Sequence, residues 1–209
     1  MAMTLLDWRR RVAAMYADVR ASAERDPERT LERFRAQRDA LFRDHPQSPL
    51  AASARSAFAG VPYWPHDPAA RFEADVEHLP PPTEVGPLAA LIATSVTGEE
   101  FRLQRIGLVR LPMGDLEVYW IDVYGGGVFI PFRDATCGTE TYGAGRYLID
   151  TVKGADLGGL GDRLVLDFNY AYHPSCAYDP RWSCPLAPQE NWLSVPIEAG
   201  ERLLGVGRS

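Results

Sequence analysis

Residues 101–124 read FRLQRIGLVRLPMGDLEVYWIDVY, and this stretch decides the fold. Two runs rich in β-branched and aromatic residues flank Gly114-Asp115, a turn signal. The pattern predicts a long β-hairpin. Gly107 interrupts the first run and marks a bulge where that strand bends.

Outward from the hairpin the same signals repeat. Short apolar runs near 89–96, 127–132, 145–150 and 163–169 are punctuated by Gly, Pro and Asp, as in a meandering sheet. RFEADVEHL alternates and predicts a strand over 71–78, followed by a PPPTEVG loop. A last strand is expected near 193–198. Upstream the period changes. Leu5, Trp8, Val12, Tyr16 and Val19 recur at helical spacing, predicting a helix over 4–22 capped by Thr4, with Asp7 three residues on. Asp26-Pro27 starts a second helix that His45-Pro46 ends. A third, short helix is expected from Ser48-Pro49 to Phe58, with Gly60 beyond it. The expected fold class is α+β, mainly β: an antiparallel curved sheet or β-barrel with two to three N-terminal helices. Residues 1–60 form the helical segment and residues 61–209 the barrel-like domain, packed as one structural unit.

The chain has 209 residues, 46% of them hydrophobic, enough to bury a core without staples. Net charge is −6, which gives no sign of a nucleic-acid partner. No run approaches the length of a membrane span. In the first residues, MAMTLLDWRRR, charge arrives before any apolar core, so no signal peptide is read and a cytoplasmic setting is expected.

The densest polar segment is YGGGVFIPFRDATCGTETYGAGRYLID, residues 124–150, with six glycines among its polar groups. Arg133 and Arg146 offer planar donor forks suited to a carboxylate or phosphate. Asp134 and Glu140 are candidate acids or bases, and Thr136, Thr141 and Tyr142 candidate ligand contacts. The same charges also suit internal Arg–carboxylate pairs, because a lone buried charge is costly. In LVLDFNY, alternation puts Leu164, Leu166 and Phe168 on one face and Val165, Asp167 and Asn169 on the other. Asp167 is the best single candidate for a general base or ligand-orienting acid, with Asn169 beside it. Both equally suit bracing of the following loop.

GAGRYL lacks the third glycine and the strand–turn–helix setting of a dinucleotide fingerprint. No P-loop or GxSxG elbow occurs, and no cofactor is expected. In FNYAYHPSCAYDPRWSCPLAP, residues 168–188, Cys176 and Cys184 are open to four readings: zinc ligands with His173, a disulfide, a nucleophile, or small buried apolar groups. Packing leads, with Tyr170, Tyr172, Tyr178 and Trp182 as the loop's bulk. No metal is expected.

The blocks GGGVFIPFRDATCGTETYGAGRYL, LDFNYAYHPSCAYDPRWSCPLAPQENWL and VPIEAGER, with SPLAASARSAFAGVPYWP upstream, resemble a bacterial and archaeal family, domain of unknown function 1684. The resemblance spans roughly residues 5–202. It implies no established activity. It places Arg133, Asp134, Thr136, Glu140, Thr141, Tyr142, Arg146, Asp167, Asn169, Cys176, Cys184, Glu190 and Asn191 in motif blocks. The functional expectation is a small anionic or carboxylate-bearing molecule bound at a barrel mouth. The alternatives are a general acid/base hydrolase or lyase using a buried carboxylate, and an interaction module whose charges only brace the fold.

Overall fold

The computed structural model describes residues 2–78, 91–94, 98 and 100–205. The expected PPPTEVG loop, and the ends of the strand expected near 89–96, lie outside them. Two helices lead the chain, α1 (Ala2–Ser22) and α2 (Pro27–Asp44). Asp26 caps α2, its carboxylate accepting from the Arg29 N–H at 3.4 Å, with Pro27 in the first turn. Helix α1 begins before Thr4, so Thr4 is not its cap; its hydroxyl accepts instead from Gln47 Nε2 at 2.8 Å. The third helix shrinks to one turn, α3 (Ala52–Arg55). Ser48 does not start it because its hydroxyl donates to the Phe42 carbonyl at 2.6 Å and accepts from the Leu50 N–H at 3.1 Å.

Among the described residues nine strands follow: β1 (Arg71–Asp75), β2 (Glu77–His78), β3 (Leu91–Thr94), β4 (Glu100–Leu111), β5 (Gly114–Ile121), β6 (Gly127–Phe132), β7 (Arg146–Asp150), β8 (Gly159–Leu160) and β9 (Arg163–Asp167). They do not close into a barrel among the described residues. They form two antiparallel sheets, one in the order β1-β9-β8 and a larger one in the order β2-β4-β5-β6-β7, with β3 also paired to β4. The strand expected over 71–78 is therefore two strands in two sheets, divided at Val76. The last strand expected at 193–198 is absent. That segment makes isolated bonds to the 133–135 turn, such as Leu193 N–H to the Arg133 carbonyl at 2.8 Å, and Pro196 lacks the N–H a ladder needs.

The β4–β5 hairpin forms with its loop on Pro112-Met113, two residues earlier than expected. Two-residue hairpins usually need positive φ inside the loop, which proline cannot adopt. The positive φ falls on Gly114 instead, at 134°. The bulge is present as Ile106, unpaired between Arg105 and Gly107. It reverses the alternation, so Leu103 and Val109 enter different apolar clusters. Leu103, Tyr119, Phe129 and Tyr147 pack with Tyr16, Val19, Leu31 and Phe34 of the helices. Val109, Leu116, Ile130 and Phe132 pack with Leu166 and Phe168 at the small sheet. The larger sheet is thus covered by helices on one side and by the second sheet on the other.

Candidate functional site

The polar residues of the 133–146 loop turn inward. Arg146, the first residue of β7, has a fully buried side chain that meets the equally buried Asp134 at 3.4 Å. Arg146 also donates to the Ile197 carbonyl at 2.8 Å and to the Ala199 carbonyl at 2.5 Å. Asp134 accepts from the Ile197 N–H at 2.7 Å and from the Thr136 hydroxyl, which touches Thr141 at 2.9 Å. Burial lowers the Arg146 pKa from the usual guanidinium value, and Asp134 opposes that shift. These four residues form one closed network. Arg133 points elsewhere and stacks on Trp192, 4.1 Å from the ring centroid. Glu140 pairs with Arg202 at 2.7 Å. Tyr142 sits near Cys176, and burial pushes its phenol up to about 12.

A second buried network was missed by the sequence reading. Glu201 accepts from Arg38 of α2, from the His173 N–H at 2.7 Å and from the Tyr178 hydroxyl at 2.8 Å. His173 Nε2 accepts from the Tyr142 N–H at 3.2 Å, and its Nδ1 lies 3.7 Å from Glu201. All three cysteines are free thiols. Cys176 hydrogen-bonds Cys184, which moves the Cys176 pKa up and the Cys184 pKa down, so the two titrate as one unit. Among the described residues, no group of three or more His, Cys, Asp or Glu side chains is arranged to hold a metal.

Asp167 and Asn169 lie apart from both networks. Asn169 Nδ2 and its backbone N–H both donate to Asp167 Oδ1, at 2.8 and 2.9 Å, and Asn169 also clamps the backbone of Asp67. Burial raises the Asp167 pKa from the ordinary carboxylate value, while the Asn169 donors and Arg71 pull it back. Unlike Asp134, Asp167 lines an open cleft of about 540 Å³. The β1–β9 ladder builds one wall. Its register sets Arg71 opposite Asp167, Glu73 opposite Val165 and Asp75 opposite Arg163, so these pairs share a face. Val19 and Arg20 of α1 stand on the other side. Glu73 receives two guanidiniums, Arg71 at 3.0 Å and Arg163 at 3.4 Å. Arg20 turns to Asp156 at 3.6 Å. Tyr170 also lines the cleft; it is 3% exposed and its hydroxyl has no hydrogen-bond partner among the described residues.

Residues 56–202 match the family described as protein of unknown function, DUF1684. The chain belongs to the DUF1684 family. No curated protein matches it. The fold is similar to the solution NMR structure of an uncharacterized protein of Haloarcula marismortui, at 31% identity and a TM-score of 0.56. That likeness covers 85% of this chain and 94% of the other.

The DUF1684 match takes in the whole strand wall of the cleft, Arg71 to Tyr170, and leaves its α1 wall outside. Of the residues expected to form a site, Asp134, Thr136, Thr141 and Arg146 meet in the core. Asp167 alone lines the cleft. Arg71, Glu73 and Arg163 were not singled out from the sequence. The signal for them is register: once β1 and β9 pair, Arg71 must stand opposite Asp167. Among the described residues no helix is long and apolar enough to cross a membrane.

Proposed function

We propose that this DUF1684 protein binds a small anionic, carboxylate- or phosphate-bearing molecule in the cleft between α1 and the β1–β9 ladder. The observation that carries this reading is charge sharing: Arg71 and Arg163 converge on one carboxylate, Glu73, at an accessible wall. Their side chains are 30% and 52% exposed, so each has N–H groups free to reach a ligand. Burial works against the charge on Asp167 that would offset these guanidiniums, although the Asn169 donors and Arg71 oppose that shift. The same raised pKa favours a second reading, in which Asp167 moves a proton to or from the bound molecule. The buried Arg146–Asp134 pair then serves the fold, holding the 133–146 loop to the C-terminal segment. Three free thiols accord with a reducing, cytoplasmic setting.

The test is titration with octanoate, benzoate and inorganic phosphate, followed by amide chemical shifts. Saturable shifts should appear at residues 157–165 for at least one anion. Arg71→Gln combined with Arg163→Gln should weaken that binding by about tenfold or more, the loss of roughly one or two charge-assisted hydrogen bonds. No saturable shift with any of the three, or shifts the double variant leaves unchanged, would refute the proposal.

A further inference from the structure

The cleft is lined by both charged and apolar side chains. At one end Arg71, Asp167 and Tyr170 stand together: Arg71 opposite Asp167 in the ladder, and Tyr170 three residues on, in the turn that Asp167 caps. Tyr170 differs from the other residues that line this cleft. Its ring packs edge-on to Phe34 at 5.0 Å, yet its buried hydroxyl makes no hydrogen bond among the described residues. Leaving a buried hydroxyl unpaired costs stability that phenylalanine would avoid, so the hydroxyl needs a partner the chain does not supply. Asn169 places both its donors on one oxygen of Asp167, Oδ1. Away from this end the lining combines an apolar strip, Val165 and Leu157 with Val19 and Ala23, and charged side chains, Arg20, Glu24, Glu73 and Arg163. Free phosphate or acetate would use the polar end and leave the apolar strip wet. An extended molecule with one charged head uses both.

We infer that the ligand is a carboxylate with an apolar body, its head held by Arg71 and the Tyr170 hydroxyl and its body lying along Val165 and Leu157. This rests on the anion-binding reading of the same cleft and adds the ligand's class and orientation. Tyr170 is thereby a specificity-determining residue. It donates to a carboxylate oxygen, while Arg71 supplies the charge.

The experiment measures dissociation constants for acetate, butanoate, hexanoate and octanoate on the full chain, the Tyr170→Phe variant and the Arg71→Gln variant, with inorganic phosphate alongside. Affinity should rise by about three- to fourfold per methylene, the increment for burying that group. Tyr170→Phe should weaken every carboxylate by about fivefold and leave the increment per methylene unchanged. It should also leave the melting temperature the same or higher, because the hydroxyl has no partner in the unliganded chain. A lower melting temperature in Tyr170→Phe would assign the hydroxyl to the fold and overturn the inference. So would equal carboxylate affinity in that variant. If acetate and phosphate bind as tightly as octanoate, and Arg71→Gln abolishes all three, the inference fails while the anion site stands. If no anion binds at all, both readings fall together.

Discussion

His173 carries the clearest single-residue consequence. Its Nε2 accepts a hydrogen bond from the Tyr142 N–H, which requires a lone pair there and so a neutral ring with its proton on Nδ1, toward Glu201. Burial pushes its pKa down from 6.5 to about 4; Glu201 and Asp134 oppose this, and Arg146 and Arg38 reinforce it. The unfolded chain takes up this proton near pH 6.5, while the folded chain resists until about pH 4. Between those values the unfolded state binds more protons, so stability falls as pH falls, and the loss is complete below about pH 4. The full effect is roughly 3 kcal/mol. Glu201 titrates below its usual value, so its own loss comes at lower pH. Urea midpoints measured from pH 7 to pH 4 should therefore decline in the native chain. They should decline much less in His173→Gln, which keeps an acceptor for Tyr142. Parallel curves would show that His173 is not the group responsible.

At the scale of elements, Gly107 decides how the two sheets part. A Cβ there would lie 2.4 Å from Val76 Cγ1 and 3.0 Å from the Glu77 carbonyl oxygen. Only glycine lets β2 lie against β4, which makes Val76 the point where the chain leaves one sheet for the other. Gly107→Ala should cost about 1–3 kcal/mol, the usual range for forcing atoms into a filled space. Hydrogen exchange should lose protection at Glu77 and Leu108, their paired partners. Gly143→Ala, whose Cβ would meet nothing closer than 3.9 Å, is the control and should be near neutral. A Gly107→Ala variant as stable as that control would contradict this account. The position of Gly107 was legible in the sequence; its role was not. Local periodicity revealed α1, α2, the hairpin and strands β6, β7 and β9, because each is written in consecutive residues. The division at Val76 and the pairing of β1 with β9 depend on partners far along the chain. RFEADVEHL alternates the same way whether it forms one strand or two. The site follows the same rule. Asp167 and its face were readable from LVLDFNY, but Arg71 and Glu73 joined it only through register. The pairing of Arg146 with Asp134 was one of two readings the composition allowed, and burial selects it.

At the scale of the whole molecule, one buried carboxylate ties three distant segments together. Glu201, near the C-terminal end, holds Arg38 of α2, the His173 N–H and the Tyr178 hydroxyl. Burial disfavours charge on both Glu201 and Arg38, but each outweighs that for the other: the Glu201 pKa moves down and the Arg38 pKa moves up. Arg38 also lies over the rings of Phe42 and Tyr172, at 4.7 and 5.0 Å, so the tie sits inside apolar packing. Breaking such a pair from one side leaves an uncompensated buried charge, which costs about 3–5 kcal/mol. Arg38→Met should incur that full penalty. Arg38→Met combined with Glu201→Gln should recover much of it, because no buried charge then remains unpaired. The recovery measures the coupling between the N-terminal helices and the C-terminal segment. The same variants test whether residues 1–60 and 61–209 act as one unit, as expected from the apolar cluster shared by Phe34, Leu103, Tyr119 and Phe129. If they do, Arg38→Met lowers a single cooperative transition, seen alike by tryptophan fluorescence and far-ultraviolet circular dichroism. If the helices unfold first in a separate step, or the double variant is no more stable than Arg38→Met alone, Glu201 is not the tie that joins them.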